Sequence, residues 1–396
     1  MPDLPPPPPT PRRGFLRREW PACLCAVVLV TLFLLGRSPY FVERVYAGAI
    51  SPFLCRGLSL VTGPIPFSVA ELGLIGAVVG TLFLLGRGSV RVVRRRVPLR
   101  RSVGVGLRRL VRAALLIATV FYATWGMNYE RAPLPERSGW PASAAPADRA
   151  AQTAELLAMT KAAVELTNAA YREACGSDDL GEPSRWPGTP EELEQALERG
   201  LDGAGYELDL DVTFQSSRGR SKRPALLAPL MSRLFLSGFF FPWTGEANVN
   251  PEPPDCEKLH VVAHEKSHQR GIAREDEAEF VGFVAGARAP SPYLRYTAFL
   301  YAQRALLREL QHLDGKAAGE LARARSAGVQ RDLAAVNSFW LPRQGKLSRI
   351  AITINDTYLK SHGIKQGVRN YAAAADLLVR FARLRGGFAT AYVASK

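Results

Sequence analysis

Transmembrane α-helices at the N-terminus, followed by a mostly α-helical α+β domain, is the architecture this sequence predicts. Three observations carry it. Apolar runs near the N-terminus are flanked by arginines. Helical periodicity dominates the remainder, with only short strand-like runs. One helix bears His264-Glu265-Lys266-Ser267-His268. At 396 residues the chain has room for a membrane region and one substantial domain. Mean hydropathy is −0.03, so the apolar character is local rather than general.

Residues 20–36, 68–86 and 110–127 are each apolar and just long enough to span a bilayer core. Arg12, Arg13, Arg17 and Arg18 precede the first, and an arginine-rich stretch from Arg87 to Arg112 joins the second to the third. Cytoplasmic loops carry the excess of Lys and Arg, so both basic stretches belong in the cytoplasm and everything after about residue 128 belongs outside. The sparsely charged stretch 37–67 is expected as an outside loop. The apolar stretch 226–243 competes as a further span, but Arg233, Gly238 and Pro242 favour soluble strands there. The formal net charge of +15 invites a nucleic-acid reading. Most of that excess flanks the apolar runs before residue 130, and no nucleic-acid motif occurs. The expected partner is the lipid bilayer, not nucleic acid.

These features divide the chain into a disordered basic leader (1–19, with the proline run Pro5 to Pro9), a membrane region (20–127), a Pro/Ala/Ser-rich linker (128–146) and a folded domain (147–396). The domain opens with a helical pattern from Ala147 to about Cys175. Thr189-Pro190-Glu191-Glu192 combines a capping box with proline at the first helical position and starts a second helix. Residues 206–214, 235–241 and 246–249 read as short strands, and the chain from Pro292 onward as helices. The five cysteines lack metal-binding spacing. A Cys175–Cys256 disulfide is conceivable outside the cytoplasm, with unpaired thiols the expectation.

The chemistry concentrates at residues 264–268. Positions i and i+4 share a helix face, so the imidazoles of His264 and His268 can reach one metal ion, and Glu265 can reach a water beside it. Zinc in such a site lowers the pKa of that water, and Glu265 takes its proton. His260 lies one turn earlier on the same face. Pro253-Pro254-Asp255 supplies a breaker and an N-cap, and Gly271 a stop. A catalytic zinc site needs a third protein ligand. Glu275, Glu277 and Glu279 follow the turn. Glu275 and Glu279 share a face, Glu277 lies nearly opposite, and Glu275 is the preferred ligand with Glu279 orienting a histidine or replacing it. Upstream, Ala247 and Asn248 lie in an extended segment to which a peptide substrate could add as a strand, an ordinary edge strand being the other reading. Tyr293, Tyr296 and Tyr301 are candidate oxyanion donors or plain core aromatics.

The run His264-Glu265-x-x-His268-Gln269-Arg270-Gly271, followed by Arg274-Glu275-Asp276-Glu277-Ala278, resembles the bacterial membrane family catalogued as domain of unknown function 3810. The segments 241–248 and 355–360, with Gly367, Val368 and Tyr371, carry the same resemblance, which extends from the membrane helices almost to the C-terminus. The resemblance implies a gluzincin-like membrane metalloprotein with a zincin-like domain, located in the bacterial inner membrane. In related HExxH peptidases a glutamate of an ExxA pattern is often the third ligand, and here that pattern falls on Glu275. Lys266 and Ser267 depart from the smaller or more apolar residues expected between the histidines. The expected activity is zinc-dependent hydrolysis of peptides or proteins. The alternatives are a non-catalytic zinc-binding scaffold of the envelope and a hydrolase of non-peptide amides.

Overall fold

The computed structural model describes residues 15–94, 98–141, 146–178, 181–210, 214, 218–361 and 370–392. Residues 1–14 of the expected leader and the matched residues Gly367 and Val368 lie outside the described residues, whereas residues 15–19 of that leader begin the first helix. The structure is 75% helical, and the described residues hold one small two-stranded sheet.

α1 (Phe15–Leu35) and α4 (Leu99–Thr124) pack side by side and run parallel. Arg112 pairs with Glu19, the Thr119 hydroxyl donates to the Cys25 carbonyl, and Tyr122 meets Phe33. Between them in sequence come α2 (Phe41–Thr62), its first ten residues wound as a π-helix, and α3 (Val69–Val93). α2 and α3 are long and apolar enough to cross a membrane, and Glu19–Leu35 is a shorter apolar helix. The stretch 37–67, expected as a loop, is therefore mostly helix. Its buried side, Val42, Tyr46, Ala47, Ser51, Cys55 and Ser59, recurs every four or five residues but mixes polar with apolar types, which hides the stripe in the sequence.

The expected linker is only partly free. Asn128 is buried, as are Trp125 and Met127 just before the linker, and Leu134 joins the main core. That core is built from α5 (Arg149–Cys175), α6 (Pro190–Glu207), α7 (Asp255–Gln269), α8 (Glu275–Arg288), α9 (Pro292–Leu313) and helices near the C-terminus. α6 starts at the capping box read from the sequence: the Thr189 hydroxyl accepts from Glu192 N and the Glu192 carboxylate from Thr189 N. Residues 206–210 do not form the expected strand. Tyr206 and Glu207 complete the last turn of α6, and 211–213 lie outside the described residues.

The stretch 226–243 holds no long helix. It forms the short helix Ala228–Arg233 and then β1 (Gly238–Phe241), which pairs antiparallel with β2 (Glu246–Val249), Phe239 opposite Asn248. No disulfide occurs among the cysteines, all of which are free.

Candidate metal centre

α7 begins after Pro254, which holds the N-cap position. Asp255 is the first helical residue rather than the cap, and its carboxylate accepts from Trp186 N and pairs with Lys258. The helix ends at Gln269, and Gly271, at φ +88°, turns the chain in a conformation that costs glycine nothing. α8 then returns across α7. The two helices touch at Gly282, where a Cβ would stand 2.9 Å from the His264 backbone nitrogen. This close approach aims the preceding turns of α8, with Glu275 and Glu279, at the histidines.

His264 Nε2 and His268 Nε2 face each other at 3.1 Å, and Glu275 Oε2 stands 3.3 Å from the first and 3.6 Å from the second. A tetrahedral ion with ligand bonds of about 2.0–2.1 Å requires donor separations of about 3.3–3.5 Å. The three separations here, 3.1, 3.3 and 3.6 Å, bracket that range. His268 Nδ1 donates to the Ile272 carbonyl at 2.6 Å, which fixes the tautomer and leaves Nε2 free to accept. Glu279 grips His260 Nε2 at 2.7 Å through one oxygen, and its other oxygen lies 3.8 Å from His264 Nδ1. His260 is stacked on Tyr301 at 3.9 Å. Glu277 points elsewhere: it accepts from Leu134 N and pairs with Arg137, tying the segment after α4 to the domain.

Carboxylates crowd the triangle. Burial disfavours a charge on His264, but Glu279, Glu275 and Glu265 outweigh it and raise the imidazole to about 10. Burial likewise works against the Glu275 carboxylate, which His268 and His264 nevertheless hold well below the usual carboxylate range. Glu265 is the exception. Burial pushes it up to about 7, against the pull of His264 and His268 and with help from Glu275 and Glu279. Its Oε2 is buried without a hydrogen-bond partner. A dication between the histidines and Glu275, with Glu265 beside it, suits this donor set.

β1 passes directly over Glu265: a Cβ on Gly238 would meet Glu265 Oε1 at 2.5 Å. Phe240 and Trp125 wall the His268 side, with ring centroids 6.4 and 6.5 Å from the imidazole. The expected pairing of substrate with Ala247 and Asn248 is corrected here, because β2 has no free edge at those residues. β1 occupies one side. On the other, Lys222 N donates to the Ala247 carbonyl and Val249 N to the Lys222 carbonyl, both at 2.8 Å. The Asn248 side chain accepts from Ser68 and is fully buried. The edge that pairs with nothing among the described residues belongs to β1. Asn250 N bonds the Ser237 carbonyl, and the antiparallel alternation then turns Gly238 and Phe240 away from β2.

Other features escaped the sequence reading. A cavity of about 190 Å³ adjoins the cluster beyond His260 and Glu279, lined also by Tyr301, Arg304 and Arg308. The two arginines form no ion pair among the described residues. Their i, i+4 spacing after Tyr301 is the only signal the sequence offers. Tyr293 and Tyr296 are buried in hydrogen bonds with Ser184 and Asp332, away from the histidines. Lys266, flagged as a departure, is fully buried on the opposite side of α7, 2.7 Å from both Glu194 and Glu198 of α6.

No curated protein and no solved structure matches this chain. The profile of the family described as protein of unknown function (DUF3810) matches residues 46–379, and the chain belongs to that family.

Proposed function

We propose that this protein is a membrane-anchored zinc-dependent hydrolase, a metallopeptidase in which His264, His268 and Glu275 hold the metal and Glu265 is the general base. The observation that carries the reading is the triangle of three buried donors at tetrahedral spacing, with a buried carboxylate beside it whose Oε2 is free. Zinc, when bound, supplies the Lewis acidity that activates water and polarises a carbonyl. The protein's own part is proton handling and positioning. Glu265 Oε2 takes the proton of the attacking water and returns it to the leaving amine, a duty suited to a carboxyl tuned to about 7. Glu279 steadies His264 and His260, and the Ile272 carbonyl holds the tautomer of His268. The open edge of β1 next to Glu265 favours an extended peptide over other amides. Glu265 also speaks against a purely structural metal site, which has no use for a buried unpaired carboxylate.

The same proposal makes the chain a multi-pass protein of the bacterial cytoplasmic membrane with its C-terminal domain outside. Support comes from the helix ends. The end of α1, the start of α3 and the end of α4 gather at the domain, whereas Arg87, Arg91, Arg101 and Arg109 lie toward the far end.

Metal analysis of the full-length protein tests the site. Close to one zinc per chain is expected in the wild type and in Glu265→Gln, and most of it lost in His264→Ala or His268→Ala. Undiminished zinc in both histidine variants refutes the assignment. Glu265→Gln turning over a cleavable substrate at the wild-type rate refutes the catalytic role.

A further inference from the structure

We propose that α2 does not cross the bilayer but lies flat at its surface, with its outer face among phospholipid headgroups and upper acyl chains. Its length and composition would let it span. Its contacts do not. At the start Glu43 accepts from Ala132 N and pairs with Arg131. In the middle Ser51 accepts from Asn128, and Cys55 packs with Trp125 and Ala273. At the end Thr62 donates to the Thr244 carbonyl, and Lys222 Nζ donates to the Thr62 and Gly63 carbonyls at 2.9 and 3.0 Å. A span must deliver its two ends to opposite faces of a core about 30 Å thick. Here both ends and the middle are bonded to one folded body outside that core.

The opposite face fits lipid. Ile50, Phe53, Leu60 and Val61 point outward, Phe53 with 77% and Val61 with 71% of their surface exposed. Arg44 and Arg56 share that face and form no ion pair among the described residues. An arginine deep in a span is costly, whereas at an interface it reaches phosphates while the apolar residues between enter the acyl boundary. Continuity names the occupant. α2 joins the ends of α1 and α3, whose Leu34 and Leu72 are exposed and apolar, at the level where those helices meet the domain. The inner face of α2 lies against the turn of Gly271 and Ala273, just beyond His268. Beyond that turn and Trp125, only α2, one helix diameter of about 10–12 Å, stands between the candidate metal centre and lipid. Resting on the hydrolase reading, this geometry points to polypeptide tethered at the membrane surface as the substrate class.

Introduced cysteines test the placement in full-length protein with Cys23, Cys25 and Cys175 replaced by serine and the buried Cys55 and Cys256 retained as an unlabelled background, in vesicles of phosphatidylethanolamine and phosphatidylglycerol. Arg44→Cys and Pro64→Cys are expected to react with a membrane-impermeant maleimide from the same side, that of a tag after Lys396. Reaction from opposite sides overturns the proposal. A fluorophore on Phe53→Cys is expected to be quenched more by lipids brominated near the headgroup than by lipids brominated at the chain end. Quenching by aqueous iodide alone, or protection from both quenchers by a second protein surface, overturns lipid as the occupant. None of these readouts needs metal or activity.

The substrate class is tested with a random peptide library offered free or on a lipid anchor. Anchoring is expected to speed cleavage about tenfold or more through effective concentration. Equal rates overturn that part. Cleavage of neither removes the substrate class together with the hydrolase reading and leaves the placement of α2 standing.

Discussion

Replacing Lys266 by methionine keeps a side chain of similar length and removes one ammonium from the interior. That ammonium lies 2.7 Å from Glu194 and Glu198, donates to the Gly219 carbonyl at 2.8 Å, and is fully buried. In Lys266→Met only Arg270 remains opposite Glu198, and only Ser221 hydrogen-bonds Glu194. Removing one partner of a buried ion pair costs about 3–5 kcal/mol, because the other charge stays buried. For domains of about 150–250 residues each kcal/mol moves Tm by about 2–4 °C, so the midpoint should fall by roughly 6–20 °C. The assay is a thermal melt of the detergent-solubilised chain with a chelator present, so that bound metal adds nothing to the native state. The loss should shrink in acid. Burial pushes Glu194 up, but Lys266 and Ser221 overcome it and hold the carboxyl below its ordinary range. A depressed carboxyl contributes stability above its unfolded pKa and loses it as pH falls through the folded one, so the wild type loses more there than the variant. Glu194→Gln added to Lys266→Met should recover part of the loss. A single variant that melts within about 1 °C of wild type at neutral pH would refute the argument that the exchange costs kilocalories.

Zinc affinity should fall most for Glu275→Ala, less for Glu279→Ala and least for Glu277→Ala, read by competition with a chromophoric chelator. Loss of a group that only orients a ligand costs about 10–100-fold, and loss of a ligand more. Glu277→Ala should instead lower the melting point, because the buried Leu134 N loses its acceptor and the tie to Arg137 is cut. A larger zinc loss in Glu279→Ala than in Glu275→Ala would reassign the ligand. Gly282→Ala puts a methyl 2.9 Å from the His264 backbone nitrogen and should cost about 1–3 kcal/mol of stability by overpacking while also weakening zinc binding. Wild-type melting and affinity together would show that α7 and α8 separate freely.

The parts of the centre that were legible are those encoded within a few residues. The i, i+4 histidines, the stop at Gly271 and the shared face of Glu275 and Glu279 all follow from helical spacing, and the capping box at Thr189 from four adjacent residues. What stayed hidden depends on distant partners. Lys266 looked out of place because Glu194 and Glu198 lie about seventy positions earlier, on a helix that packs alongside only after folding. β2 looked like an available edge because nothing local reveals that Lys222 pairs with it. α2 looked like a loop because Ser51, Cys55 and Ser59 are small or polar, and their burial is defined only by distant partners: the segment after α4, the turn at Gly271 to Ala273, and Gly219. The apparent alternation failed at 206–210 for the converse reason, since the end of α6 supplied its first residues.

These long-range contacts bind the N-terminal helices and the candidate metal centre into one unit. The Glu246 carboxylate accepts from Val69 N and Ala70 N and so caps the start of α3, while two residues on, Asn248 holds the α3 cap residue Ser68. Glu71 reciprocates, accepting from Leu226 N and Leu227 N at 2.7 Å. The sheet whose first strand covers Glu265 is therefore secured through its second strand to the hairpin between α2 and α3. In a chain beginning after α4, Lys222 would lose the carbonyls of Thr62 and Gly63, and Glu246 the amides of Val69 and Ala70. Each buried group left without a partner costs about 1–3 kcal/mol, and more when charged. Removing the N-terminal helices thus dismantles one wall of the cleft as well as the anchor, even though His264, His268 and Glu275 all lie beyond residue 250.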